Sequence, residues 1–195
     1  MNDPDRAVLP LKFDVDGMAA EVASISPSAW APHFNTGTYE GEWSGVALRS
    51  MGGKAAQLYP GADANGPFAD TELLEALPTH RDALAQFKCP LLAVRLLALA
   101  PGAVIKEHRD YRLSWQDGEV RVHVPVLTGD GVEFFLNGLP VEMKAGEAWY
   151  LDLSLPHRAA NRSNALRVHL VVDCVVDDWL DPLLAASLAG GVPRT

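Results

Sequence analysis

The stretch Val132-Glu133-Phe134-Phe135-Leu136-Asn137-Gly138-Leu139-Pro140-Val141 decides the fold. Two apolar runs flank an Asn-Gly pair. Asn-Gly readily supplies two consecutive positive-φ residues, so the segment predicts a two-residue β-hairpin. The pattern extends on both sides. Strand-like runs are expected at Leu91–Leu99, Ala103–Glu107, Val120–Leu127, Val132–Leu136, Leu139–Met143, Glu147–Asp152 and Leu166–Val175. Turn residues punctuate them at Pro101-Gly102, Asp117-Gly118, Gly129-Asp130-Gly131 and Ala145-Gly146. Many short strands without intervening helices predict a mainly β sandwich or barrel of the jelly-roll type.

The flanks read differently. Val15 to Ile25 has helix-like apolar spacing and stops before Pro27. Trp30 to Trp43 is a structured loop, Ser44 to Ser50 a strand, and Met51 to Pro67 a long Gly- and Pro-containing loop. Asp70-Thr71 is placed to cap a short helix through Leu77, and Thr79 a second one through Phe87. A last helix is expected from Asp181 to Leu188, before a frayed Gly-Gly-Val-Pro-Arg-Thr tail. The 195 residues fit one domain. Residues 1–90 would be N-terminal helical and loop support with lid elements, 91–176 the core, and 177–195 the C-terminal helix and tail.

Composition excludes several classes. Hydrophobic residues make up 48% and charged residues 21%, an ordinary globular profile. The net charge is −9 without any basic block, so no nucleic-acid footprint is expected. No run reaches the ~18 apolar residues of a membrane span, and Met1 to Arg6 lacks the apolar core of a signal peptide. Cys89 and Cys174 belong to no CxxC pair and sit among apolar neighbours, which reads as two buried free thiols. A cytoplasmic protein is the expectation. Oligomeric state is not written in the sequence.

The chemistry sits in His108-Arg109-Asp110, followed by His157 and, ten residues later, Arg167. Two imidazoles and one carboxylate can hold one face of an Fe(II) ion and leave the other open. Arg167 would supply a fixed positive fork for a carboxylate. Strand alternation puts Arg121 and His123 on one face of Val120–Val124, and Arg167 and His169 on one face of Arg167–Asp173. His169 could equally be a satisfied core histidine. Trp149 and Tyr150 read as core aromatics, His157 as a loop residue, and His33 and His80 as surface or loop-packing histidines. Arg49, Arg95 and Arg112 are candidates for a substrate carboxylate.

Pro101-Gly102, His108-Arg109-Asp110, Arg121-Val122-His123-Val124-Pro125, Gly146-Glu147-Ala148-Trp149, Asp152 to His157, Asn161 and Arg167 to Leu170 together resemble the aspartyl/asparaginyl β-hydroxylase family of Fe(II)- and 2-oxoglutarate-dependent dioxygenases. Some bacterial proline hydroxylases are similar as well. The resemblance covers about Leu91 to Asp178, and residues 28–90 more loosely. It implies a double-stranded β-helix, a jelly-roll relative of the cupins, with Fe(II), 2-oxoglutarate and O2 as cofactors. It implies His108, Asp110 and His157 as metal ligands, and Arg121, His123 and Arg167 around the co-substrate. Vertebrate members lack the carboxylate that Asp110 supplies, and a serine of their co-substrate site is replaced here by Leu97. The substrate would be an amino acid, a peptide or a protein Asp/Asn side chain. The alternative is a non-catalytic cupin-like protein that binds a metal or a small acid.

Overall fold

Asn137 and Gly138 both have positive φ, 51° and 76°, and Leu136 pairs with Leu139 across them. The hairpin is therefore built as the Asn-Gly pair requires. In this computed structural model, which describes residues 5–59 and 66–190, thirteen strands and four α-helices follow in order. They begin with β1 (Arg6–Leu9), α1 (Val15–Ser24), β2 (Ala31–Pro32), β3 (Tyr39–Glu40), β4 (Trp43–Met51) and β5 (Phe68–Asp70). Next come α2 (Glu72–Glu75), α3 (Pro78–Leu84), β6 (Leu91–Leu99), β7 (Val104–His108) and β8 (Glu119–Leu127). The chain closes with β9 (Val132–Leu136), β10 (Leu139–Pro140), β11 (Ala148–Leu151), β12 (His157–Asn161), β13 (Arg167–Val175) and α4 (Leu180–Gly190).

The strands form two antiparallel sheets. The larger runs β1-β11-β8-β13-β6-β4-β2, with β5 beside β4, and the smaller runs β10-β9-β12-β7-β3. Alternation divides the large sheet into two faces. Val168, Leu170, Val172 and Cys174 of β13 join Val94, Leu96 and Ala98 of β6 under the helices, where Met18, Val22, Leu84, Leu180 and Leu184 cover them. The opposite face meets the small sheet through Leu97, Leu99, Trp149, Leu151 and Val171, against Ile105, Phe134, Leu136 and Ala159. That inner face also carries Arg95, Arg121, His123, Arg167, His169 and Asp173, so the inter-sheet space is apolar at one level and polar at another. No helix among the described residues is long and apolar enough to cross a membrane.

Several expectations are corrected. The N-terminal part is more than support, since β1 and β4 belong to the large sheet and β3 to the small one. His157 opens β12 instead of lying in a loop. His-Arg-Ala-Ala-Asn has weak strand propensity, but β12 is clamped between β9 and β7, and pairing on both sides overrides it. Thr71 does not cap α2 through its side chain. Its hydroxyl is buried and donates to the Ala47 and Leu48 carbonyls. Nor does Thr79 cap α3. Glu21 of α1 does so from outside, accepting the Thr79 and His80 backbone N–H groups at 2.6 and 3.0 Å. Because Glu21 also takes His80 Nδ1 at 2.7 Å, His80 is buried and not at the surface. Cys89 and Cys174 are free and buried, as expected. Gly190, expected in the frayed tail, is the last residue of α4, and the rest of that tail, residues 191–195, lies outside the described residues.

Candidate metal centre

β7 ends at His108 and β12 begins at His157, and the two residues face each other in register, with ring centroids 4.2 Å apart. Each ring is anchored by a carbonyl two residues back. His108 Nδ1 lies 2.8 Å from the Lys106 oxygen, and His157 Nδ1 lies 3.0 Å from the Leu155 oxygen. A carbonyl only accepts, so each Nδ1 carries a proton, and in the neutral ring Nε2 is then the nitrogen with the lone pair. This is the tautomer a metal needs. Burial first, and the neighbouring His108 among the further causes, lower the His157 pKa and keep it neutral.

Asp110 follows β7, and its backbone N–H donates to Leu153 at 2.9 Å. Its Oδ1 lies 3.9 Å from His108 Nε2. One ligand atom from each of His108, Asp110 and His157 falls within 4.8 Å of the others. Bonds of about 2.0–2.2 Å allow two donors to stand no more than about 4.4 Å apart, so the trio closes on an ion by side-chain shifts of about an ångström.

The trio opens on a cavity of about 350 Å³, whose wall includes Trp43, Leu97, Phe134, Arg121, His123 and Arg167. Leu97 fits there because Gly45 lies beside it in register. A Cβ on Gly45 would stand 2.8 Å from Leu97 Cδ2. At the inner end Arg167 is 3% exposed. Its Nη2 donates to His169 Nδ1 at 2.9 Å, and its Nε has no partner. No carboxylate pairs with it among the described residues, and burial alone pulls its pKa down to about 9. Since Arg167 must donate, His169 Nδ1 is an acceptor. The 3.3 Å contact from His123 Nδ1 to that same nitrogen then places a proton on His123 Nδ1. His123 Nε2 is left bare, buried and unpartnered. Burial, then Arg167, push the His123 pKa well down, so contact with an anion there would require His123 to take up a proton.

Arg121 is engaged differently. Its Nη1 donates to Asp110 Oδ2 at 2.5 Å, while Nε and Nη2 fork onto Asp173 at 2.6 and 3.1 Å. Asp173 also takes a short hydrogen bond from buried Arg95. Burial opposes the Arg121 charge, but Asp173 and then Asp110 outweigh it and raise its pKa. Burial likewise opposes the Asp173 charge, and Arg121 followed by Arg95 lowers its pKa overall.

Aromatic residues surround the mouth. His33 stacks on Trp43 with centroids 3.5 Å apart and meets Tyr59 edge-on at 4.9 Å. Burial first, then Arg95, bring the His33 pKa to about 4, so the ring is neutral near pH 7. Of the two expectations for His33, surface or loop packing, the second holds: it is buried in the irregular chain after β2, and it also lines the cavity. Trp43 Nε1 is buried without a partner. Phe34 and Tyr111, 69% and 88% exposed, flank the opening.

The structure thus brings His108, Asp110, His157, Arg121, His123 and Arg167 onto one cavity. The Trp30–Trp43 segment contributes His33, Phe34 and Trp43 to the lining, and the loop that begins at Met51 contributes Tyr59. Of the candidates for a substrate carboxylate, Arg49 is tied to Asp70 and to the Leu91 and Phe68 carbonyls. Arg95 is buried against Asp173, and Arg112 is exposed and outside the cavity lining. Asp173 belongs to no motif of its own, although alternation from Arg167 puts it on the same inward face. The donor set suits an Fe(II) ion. The unfilled Nε of Arg167 suits an anionic group beside it.

The comparisons agree with this picture. A family model described as aspartyl/asparaginyl beta-hydroxylase matches residues 15–176. An L-proline cis-4-hydroxylase of Rhizobium meliloti is 27% identical over 165 residues, which is 84% of this chain. The chain spans only 58% of that relative's length. A 2OG-Fe(II) oxygenase-family oxidoreductase from Burkholderia pseudomallei superposes with a TM-score of 0.57 at 12% identity, over 87% of this chain and 85% of its own. A Pseudomonas putida prolyl-4-hydroxylase does so at 0.51 and 16%, over 89% and 93%. At such identities these two likenesses show the fold, a jelly roll of the kind found in 2OG oxygenases.

Proposed function

Since the chain belongs to the aspartyl/asparaginyl β-hydroxylase family, we propose that it is an Fe(II)- and 2-oxoglutarate-dependent dioxygenase. It would hydroxylate an unactivated C–H bond of an amino acid, a peptide or a protein Asp/Asn side chain. His108, Asp110 and His157 would hold the iron. When bound, iron and 2-oxoglutarate supply the oxidation: with O2, the 2-oxoglutarate becomes succinate and CO2, and one oxygen atom enters the substrate.

The observation that carries this reading is Arg167, a buried guanidinium with an unused N–H and, among the described residues, no carboxylate partner, on the same cavity as the trio. A lone buried cation costs free energy unless an anion joins it, and its planar fork suits the distal carboxylate of 2-oxoglutarate. His123 lines the same region, and its free Nε2 can meet a co-substrate oxygen once protonated. The Lys106 and Leu155 carbonyls hold the two imidazole rings in their working tautomer. Leu97, Phe134 and Leu153 keep the lining dry beside them. Trp43 Nε1 offers one more donor to a ligand oxygen, and Phe34 and Tyr111 offer apolar surface at the mouth for the substrate. The name of the Rhizobium relative and the description of the family both support an amino-acid side chain as target. A cytoplasmic setting is part of this reading, in keeping with a chain whose two cysteines belong to no CxxC pair.

The test is succinate formation from 2-oxoglutarate by iron-loaded protein in air, across a panel of free amino acids and Asp-, Asn- and Pro-containing peptides. Substrate-stimulated succinate with a matching mass gain of one oxygen is expected. Stable ligand binding without succinate under any condition would point to a binding protein instead.

A further inference from the structure

Asp110 lies beyond the end of β7, so the strand does not orient its carboxylate. A side chain does. Asp110 Oδ2 accepts from Arg121 Nη1 at 2.5 Å, and Oδ1 is the oxygen that faces His108 Nε2. The rest of the Arg121 guanidinium is fixed by a two-point fork, Nε to Asp173 Oδ1 at 2.6 Å and Nη2 to Oδ2 at 3.1 Å. A planar group held along one edge has its third nitrogen aimed. Asp173 sits directly across from Arg121 in the β8–β13 register, and Arg95 of β6 grips the same carboxylate from the other side. The clamp therefore rests on three neighbouring strands in the middle of the large sheet.

Charge separates this arginine from Arg167. Two arginines and two aspartates make the Arg95–Asp173–Arg121–Asp110 chain neutral as it stands. Arg167 has no carboxylate partner among the described residues, and an anion joining it would offset its buried charge. We propose that Arg121, clamped by Asp173 and Arg95, is the positioning residue that fixes Asp110 as a one-oxygen metal ligand, and not a direct co-substrate contact. The inference rests on His108, Asp110 and His157 being the ligands. With Oδ2 occupied by Arg121, Asp110 contributes Oδ1 alone. An ion held in this way would keep for other ligands a position that a two-oxygen carboxylate would take.

Two titrations on the full chain decide it. Co(II) is titrated into metal-free protein without 2-oxoglutarate and followed by its visible absorption. Separately, 2-oxoglutarate is titrated calorimetrically into protein saturated with Mn(II) under anaerobic conditions. Arg121→Gln and Asp173→Asn are expected to weaken Co(II) binding about 10- to 100-fold, with Arg121→Lys recovering part of it, as for other groups that orient metal ligands. The 2-oxoglutarate affinity of the Mn(II)-saturated variants should stay near wild type. Unchanged Co(II) affinity with weakened 2-oxoglutarate binding would overturn the proposal and return Arg121 to the co-substrate. If Asp173→Asn does not fold, because Arg95 is left buried, Arg121→Gln decides alone. His108→Ala is the control. Should it leave Co(II) binding intact, the ligand assignment itself fails, an outcome distinct from failure of the clamp.

Discussion

Replacing Arg167 by methionine separates a binding role from a structural one. The side chain is 3% exposed, its Nη2 meets only an imidazole nitrogen, and its Nε meets nothing. A carboxylate gripped by this fork would gain charge-assisted hydrogen bonds worth about 1.5–3 kcal/mol each. Truncating one partner of such a buried pair costs about 2–5 kcal/mol. Taking about 3–5 kcal/mol, the 2-oxoglutarate dissociation constant should rise by roughly two to three and a half orders of magnitude, at 1.4 kcal/mol per decade. Stability should move the other way or not at all. Methionine keeps most of the buried apolar length, and the variant removes a charge that no carboxylate among the described residues offsets. The assay is calorimetric titration of 2-oxoglutarate into anaerobic Mn(II)-loaded protein, with thermal unfolding of the metal-free form alongside. The reasoning is refuted if Arg167→Met binds 2-oxoglutarate as wild type does while its Tm drops by several degrees. That result would make the arginine a structural residue.

Acid should destabilise the metal-free protein. Burial is the first cause lowering the pKa of His33, His80, His123, His157 and His169. The unfolded chain then takes up protons first, so stability is present above about pH 6.5 and falls as pH drops, for His33 down to about 4. A flat Tm between pH 7 and 5 would contradict this. Glu21→Ala removes the acceptor of three N–H groups at the start of α3 and should cost about 2–4 kcal/mol in denaturant unfolding. It should leave Co(II) affinity unchanged, because α1 and α3 pack on the face of the large sheet away from the trio.

The sequence was most legible where local chemistry and tertiary demand agree. Asn137-Gly138 turns as the pair must, and Leu91–Leu99 and Val132–Leu136 are strands with the bounds their residues suggest. His108, Asp110, His157 and Arg167 stand out in the sequence by residue type, order and spacing, and strand alternation adds the shared faces of Arg121 with His123 and of Arg167 with His169. What could not be read depends on partners distant in sequence. β12 is a strand because of the neighbours it lies between. The α3 cap comes from Glu21, 58 residues before Thr79. Likewise, the engagement of Arg121 by Asp173 needs the β8–β13 register. His33 reaches the cavity through a stack with Trp43 that no periodicity encodes.

The most direct test of the central claim is anaerobic visible spectroscopy of the protein with Fe(II) and 2-oxoglutarate. One Fe(II) per chain should bind, and 2-oxoglutarate should raise a weak charge-transfer band that disappears in His157→Ala and needs far more co-substrate in Arg167→Met. Fe(II) bound at full stoichiometry without a band, or a band untouched by His157→Ala, would contradict the account.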